Sequence, residues 1–308
     1  MTVTRLATQG FRNLEDGEVF PCPGVNVIYG ANAQGKTNLL EALWLFTGGH
    51  SFRGAKDVEL PRLDPSTGEN QPRAALALDF FTEGRPQKAQ LHFEKGRRSS
   101  VINGVNKPTG SALIGKVRAV IFSPDHLLLV KEGPVRRRSF LDGALCQLRP
   151  GYASAYHQYV RALAQRNALL KEIYQFPPQR DLLEVWDMRL AKLGAAIMAE
   201  RRSFVEKMGP LASQVYEGIS RGREDLVLTY APSPGIEPGM TTAQWEERFL
   251  QELSRTADQD IRRGATTVGP HKDDLDITLS GLSARRYGSQ GQQRSAVLAM
   301  KLAGARTL

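Results

Sequence analysis

Apolar and polar positions alternate over residues 3–9 and again over 19–29, where Val25-Asn26-Val27-Ile28-Tyr29 closes the second stretch as an unbroken apolar run. Alternation with period two predicts half-buried strands, and a short continuous apolar run predicts a buried one. From Asn38 to Phe46 the residues are strong helix formers and predict a helix. Residues 50–72 are polar, carry Pro61, Pro65 and Pro72, and read as a surface loop. Strand character returns over 74–82. Residues 88–95 and 99–106 predict a hairpin, with Asn103-Gly104 as a turn signal and more than one register open. Val117 to Phe122 is a further apolar strand, read as a crossover into a different lobe.

Between 127 and 230 the spacing is helical, with amphipathic segments over 136–148, 154–175 and 181–209 and Pro177-Pro178 separating the last two. A helical lobe is predicted there. A short strand over 225–230 follows, then a helix over 241–263 with Thr241 or Thr242 as its N-cap, a strand over 273–280, and a last helix from Gln290. The pattern as a whole is α/β with a mainly helical second lobe.

The 308 residues allow one large domain or two lobes, and 41% hydrophobic with 24% charged residues is ordinary for a globular chain. No apolar run approaches the length of a membrane span, and the N-terminus lacks a signal-peptide core. Cys22 and Cys146 form no CxxC pair, so neither a zinc site nor a disulfide framework is expected and a cytoplasmic location is. The net charge of +9 favours a polyanionic partner, nucleic acid first. The basic residues fall in clusters such as Arg136-Arg137-Arg138, Arg201-Arg202 and Arg285-Arg286 rather than in one long block.

Between the apolar run and the helix lie Gly30-Ala31-Asn32-Ala33-Gln34-Gly35-Lys36-Thr37, a complete G-x-x-x-x-G-K-[ST] phosphate loop, followed by Asn38. Strand, glycine loop and helix is the setting the motif requires. Its backbone N–H groups form an anion nest at a helix N-terminus, Lys36 reaches the β- and γ-phosphates, and the Thr37 hydroxyl is a ligand for Mg²⁺. ATP with Mg²⁺ is the expected ligand. Residues Tyr287 to Ser295 carry a second constellation, Ser289-Gln290-Gly291-Gln292, at the start of a helix. There a hydroxyl, the Gly291 N–H and the helix dipole can meet a phosphate.

A phosphate loop followed far downstream by this serine-glycine segment resembles the ABC-type ATPases, whose signature motif the segment matches. Gly10-Phe11-Arg12-Asn13-Leu14 and Gly35-Lys36-Thr37-Asn38 look like the SMC-like branch that acts on DNA. Phe122-Ser123-Pro124-Asp125, Leu129 to Pro134, Arg136 to Asp142, Thr267 to Leu275 and Tyr287 to Arg294 occur in the order found in the RecF family and extend the resemblance over residues 3 to 303.

The resemblance implies an ABC-type P-loop ATPase head. Residues 1–115 and 265–308 would form the ATPase lobe and 116–264 the helical lobe. It further implies a homodimer closed by ATP, with the phosphate loop of one copy facing Ser289, Gln290, Gly291 and Gln292 of the other. Arg12 and Asn13 would flank the nucleotide, and Arg136, Arg137 and Arg138 are candidates for DNA contact. The implied partners are gapped or junction DNA and RecR, with RecO and RecA in the pathway, and no membrane. Slow, DNA-stimulated hydrolysis would need a Walker B carboxylate after the signature helix, and residues 295–308 contain none. The sequence therefore reads either as a head cut short of that strand, the preferred expectation, or as one lacking the hydrolytic half of its site, with ATP binding expected and turnover left open. A P-loop small-molecule kinase and a transporter-type ABC ATPase are the rival readings.

Overall fold

The computed structural model describes every residue except Pro65, Phe176, Pro238 and Leu308, and every other side chain except those of Pro124, Asp125, Gln175 and 177–179. The chain divides into two compact units, Met1–Ala119 and Val120–Leu308.

The first unit is built on a six-stranded antiparallel sheet. Its strands are β1 (Thr2–Gln9), β2 (Gly17–Val19), β3 (Arg73–Thr82), β4 (Arg85–Glu94), β5 (Arg97–Ile102) and β6 (Val105–Lys107), in the spatial order β2-β1-β3-β4-β5-β6. Three two-residue turns, Glu83-Gly84, Lys95-Gly96 and Asn103-Gly104, connect β3 through β6, and all six residues have positive φ. Such turns match the right-handed twist of the strands they join, so the chain meanders. The Asn-Gly turn therefore joins β5 to β6, and the single strand expected over 99–106 is two strands folded back on each other. Leu76, Leu78 and Phe80 of β3 and Ala89, Leu91 and Phe93 of β4 form a buried core with Phe11, Leu60 and Leu113. Helix α1 (Lys36–Leu45) lays Ala42 and Leu45 into that core, followed by Phe46.

Two expected strands do not form. Of 19–29 only Val19 enters the sheet, opposite Leu6 of β1, and Val25, Val27 and Tyr29 are 86%, 77% and 89% exposed. Residues 117–122 are irregular too, with Val117 buried in the core and Phe122 half exposed. An apolar run becomes a strand only when a neighbouring strand pairs along it, and among the described residues neither run joins one of the two sheets.

In the second unit, α2 (Leu128–Lys131), α3 (Pro134–Leu148), α4 (Pro150–Gln175) and α5 (Leu183–Ser220) lead to β7 (Leu226–Ala231) and α6 (Thr242–Arg263). Then come β8 (Asp274–Leu279), β9 (Leu282–Ser283), α7 (Ala284–Tyr287) and α8 (Gln290–Thr307). The three strands pair antiparallel in the order β7-β8-β9. Helix α5, 38 residues long, is the axis of this unit. Its Leu190, Ala191, Ala195 and Met198 share one core with Trp245, Phe249 and Leu253 of α6 and with Ala296, Val297 and Met300 of α8. Thr241 caps α6 through its hydroxyl and a reciprocal bond from Gln244, as its position predicted. Because α8 buries its apolar face here, residues 265–308 pack in the same unit as 120–264. By contacts alone the chain separates after Ala119, with 265–308 grouped with 120–264.

Candidate functional site

In the first unit the phosphate loop is shaped by three residues at positive φ, Gly30 at 143°, Ala33 at 66° and Gly35 at 85°. Gly35 is required twice over. A side chain there would be strained, and its Cβ would stand 2.6 Å from Leu14 Cδ2 and 2.9 Å from Asn13 Oδ1. That closeness comes from the Arg12-Asn13-Leu14 turn, which latches onto the loop. Asn13 donates to the Ala33 carbonyl at 2.7 Å, and Asn38 donates to Asn13 Oδ1 at 2.6 Å. Lys36 Nζ donates to the carbonyls of Gly30 at 2.8 Å and Ala31 at 2.6 Å. The ammonium is thus held over the loop that is to receive phosphate.

A cavity of about 330 Å³ follows the arc Asn32-Ala33-Gln34-Gly35-Lys36-Thr37-Asn38 and is completed by Asn13 and Arg53. Its lining has two cations, amides and a hydroxyl, and no carboxylate. The first turn of α1 is also free of acidic residues, so the positive end of the helix dipole is not neutralised. A larger recess of about 1230 Å³ shares Asn13, Asn38 and Arg53 with this cavity and extends to Arg62, Leu63 and Asn70. A polyanion fits the small cavity, and the recess has room for the remainder of a nucleotide.

Arg12 sits beside the loop, but its guanidinium faces inward. Nε donates to Glu41 Oε2 at 3.0 Å and Nη2 to Glu41 Oε1 at 3.1 Å, while Nη1 donates to the Glu59 carbonyl at 3.0 Å. Glu41 is fully buried on α1 and also accepts the Ser51 hydroxyl. Arg53 donates to Asn38 Oδ1 at 2.7 Å and lies 3.9 Å from Glu41. Sequence reading missed Glu41, Ser51 and Arg53. The one signal was a carboxylate inside the apolar helix run, where a buried charge demands a cationic partner.

In the second unit, Ser289 is the N-cap of α8, and Ser289-Gln290-Gly291-Gln292 is a capping box. Gln292 N–H donates to Ser289 Oγ at 3.3 Å, and Ser289 N–H donates to Gln292 Oε1 at 2.6 Å. The Ser289 hydroxyl proton and the N–H groups of Gln290 and Gly291 remain as donors at this helix start. Ser289, Gln290 and Gly291 are exposed. The segment is thus a second helix start with its donors turned to solvent, the chemistry an anion would meet.

Residues 5–131 match the family of AAA domains. Over 304 residues the chain is 37% identical to the DNA replication and repair protein RecF of Acetivibrio thermocellus, an alignment covering 98% of this chain and 81% of that protein. The chain belongs to the RecF family. Halothermothrix orenii RecF is 38% identical over 307 residues, covering 98% of this chain and 80% of that one. Structures of the recombination mediator protein RecF in the RecFOR pathway, with ATP and with ATPrS, match at a TM-score of 0.92 and 34% identity. They cover 99% of this chain and 80% and 81% of theirs. An SMC head bound to the winged-helix domain of ScpA shares the fold, with a TM-score of 0.53 at 16% identity over all of this chain and 77% of that one. The fold is therefore that of an ABC-type ATPase head with a mainly helical second lobe.

Within this RecF-family fold the arginine triplet at the start of α3 is not uniform. Arg137 is 4% exposed, pairs bidentately with Asp274 at 2.6 and 2.9 Å, and donates to the carbonyls of Leu129 and Glu132. All three nitrogens of its guanidinium donate to protein acceptors, so little of this cation is presented to solvent. Arg138 donates to the Asp273 carbonyl at 2.6 Å. Arg136 is exposed and pairs with Glu132 one helical turn away.

Proposed function

We propose that this chain is an ATP-operated DNA-binding protein of recombinational repair. Two copies close head to head around ATP on gapped or junction DNA and, with RecR and RecO, assist the loading of RecA. Membership of the RecF family supports this reading. The observation that carries it is the pair of half-sites, a phosphate loop lined by cations and amides and an exposed capping-box helix start with unused donors.

Each half-site presents one face of donors, and neither surrounds a triphosphate by itself. Lys36 releases the carbonyls of Gly30 and Ala31 and turns to phosphate oxygens, while the N–H groups of the loop hold the same anion. Ser289, Gln290 and Gly291 of the second copy supply donors from the opposite side. ATP, when bound, supplies the negative charge that draws these two surfaces together. The cavity carries no carboxylate, so Mg²⁺ would be held by the Thr37 hydroxyl together with phosphate oxygens rather than by a protein cage. These residues support nucleotide binding; turnover would require a carboxylate that the described lining does not contain. Among the described residues no helix is long and apolar enough to cross a membrane, and a cytoplasmic location fits partners of this kind. The kinase and transporter readings account for the phosphate loop alone and give way to the family.

Sedimentation velocity of the chain with no nucleotide, ADP–Mg²⁺ and ATP–Mg²⁺ tests the dimer. ATP alone is expected to shift the monomer to a dimer, and Ser289→Arg is expected to abolish the shift while leaving ATP binding by the monomer intact. A Ser289→Arg protein that still dimerises with ATP removes the trans role of this helix start.

A further inference from the structure

The capping box of α8 is tied to the far end of α5 through one carboxylate. Gln292 accepts from Ser289 N–H through Oε1, so its amide nitrogen points the other way, and there it donates to Glu224 Oε1. The second oxygen of Glu224 accepts the Tyr216 hydroxyl at 2.7 Å. Tyr216 is 1% exposed in the last turn of α5. That helix ends at Arg221 and Gly222, with φ of 57° and 70°, and the Gly222 N–H returns to the Glu217 carbonyl at 3.0 Å. Glu224 thus stands on the short link between α5 and β7. The link is pinned to the β8–β9 turn, where Ser280 N–H donates to the Asp225 carbonyl at 2.8 Å.

A carboxylate only accepts, so both of its neighbours must donate. With the amide nitrogen of Gln292 held by Glu224, its oxygen is left to face Ser289, and the reciprocal capping box closes in one orientation. We propose that Glu224 is the positioning residue of the signature segment, holding Gln292 so that Ser289, Gln290 and Gly291 stay set for the ATP of the second copy and tying that set to the end of α5. This rests on the ATP-dimer reading above. Both hydrogen bonds also favour the ionised carboxyl and hold Glu224 below the usual carboxylate range, Tyr216 contributing more than Gln292.

Glu224→Ala and Glu224→Gln separate placement from charge. The glutamine can accept from Gln292 and donate to the Tyr216 oxygen, because a phenol does both; the alanine can do neither. Glu224→Ala is expected to weaken the ATP-dependent dimer about tenfold or more in sedimentation velocity, the loss of one hydrogen bond to a charged group. Glu224→Gln is expected to stay within about threefold of the unmodified chain. Affinity of the monomer for ATP–Mg²⁺ in equilibrium dialysis should change less than about twofold in both, since the phosphate loop lies in the other unit and shares no partner with Glu224. A separate reading needs no dimer. In ¹⁵N–¹H spectra the side-chain amide of Gln292, assigned with Gln292→Ala, should show one proton shifted downfield and slow to exchange in the unmodified chain and in Glu224→Gln, and an ordinary exchange-prone pair in Glu224→Ala. An unchanged amide in Glu224→Ala, or dimer loss of equal size in both variants, overturns the positioning role. If the unmodified chain does not dimerise with ATP but the amide responds as expected, the positioning stands and the dimer reading falls.

Discussion

Two side chains show what burial does to a charge in this protein. Lys36 is partly exposed and held only by carbonyls, so phosphate oxygens can replace its present partners. Lys36→Ala is expected to lower ATP affinity about a hundredfold or more, the loss of two hydrogen bonds made by a charged donor, as measured by equilibrium dialysis. His271 is the opposite case. Its Nε2 lies 3.0 Å from the Thr266 carbonyl, which can only accept, so Nε2 carries the proton and Nδ1 accepts from Tyr159 at 2.7 Å. Burial is the largest cause that pushes its pKa down to about 4, and the nearby charges of Lys272 and Arg138 act in the same direction. As pH falls below 6.5 the unfolded chain takes up this proton before the folded one does. Stability from neutral His271 is therefore complete above 6.5 and is lost as pH falls through 4. On the order of 3 kcal/mol is at stake. Urea unfolding of the second unit at several pH values should show a steeper loss over that window in the unmodified chain than in His271→Asn.

Among elements, the governing contact is the close approach of α5 and α6. Gly194 in the middle of α5 faces the ring of Phe249, and a Cβ there would lie 2.9 Å from Phe249 Cδ1 and 3.2 Å from Pro270 Cδ, with Cε1 nearer still. Gly269 seats the other side of the same ring at φ 126°, where a Cβ would come within 2.6 Å of Phe249 Cζ and of the Tyr159 hydroxyl. Helix propensity alone favours Gly194→Ala by roughly 1 kcal/mol. Overpacking against a buried ring costs about 1–3 kcal/mol and wins. Gly194→Ala is expected to lower the unfolding midpoint in urea, and a raised midpoint would show that the helices can part at no cost. Two buried arginines secure the same packing. Arg201 of α5 holds Asp142 of α3 and Asp273 before β8, and Arg166 of α4 holds Asp187 of α5 and Asp260 of α6. Each joins three parts of the chain that are far apart in sequence.

At the scale of the whole molecule, these pairings change the meaning of net charge. The value of +9 counts Arg137, Arg166 and Arg201, all buried against carboxylates, so the field available to DNA comes from other residues. Exposed Arg285 and Arg286, immediately before the signature segment, and Arg294 within α8 keep their charge at the surface. DNA binding by the ATP-bound protein is expected to weaken linearly in log affinity against log salt. With four phosphate contacts the loss is about a hundredfold between 50 and 200 mM, as anisotropy with a gapped duplex would report. A flat response would mean that the basic surface is not the DNA contact.

Local chemistry made much of this legible in the sequence. The glycines and lysine of the phosphate loop, the helix after it, the Thr241 cap and the start of α8 each depend on residues within one or two turns of chain, so spacing alone identified them. The resemblance carried the family, because its blocks occur in order along nearly the whole chain. Interactions between distant residues escaped this reading. That Glu41 holds Arg12 and Asp274 holds Arg137 could not be read from the sequence, because each pair joins residues far apart in the chain. Val25 to Tyr29 has the composition of a buried strand, yet strand pairing is a property of two segments, and composition describes one. The sequence by itself determined which atoms can meet phosphate. The tertiary structure decided which charges are free to do so, because a carboxylate brought in from another element consumes the donors that the sequence alone leaves available.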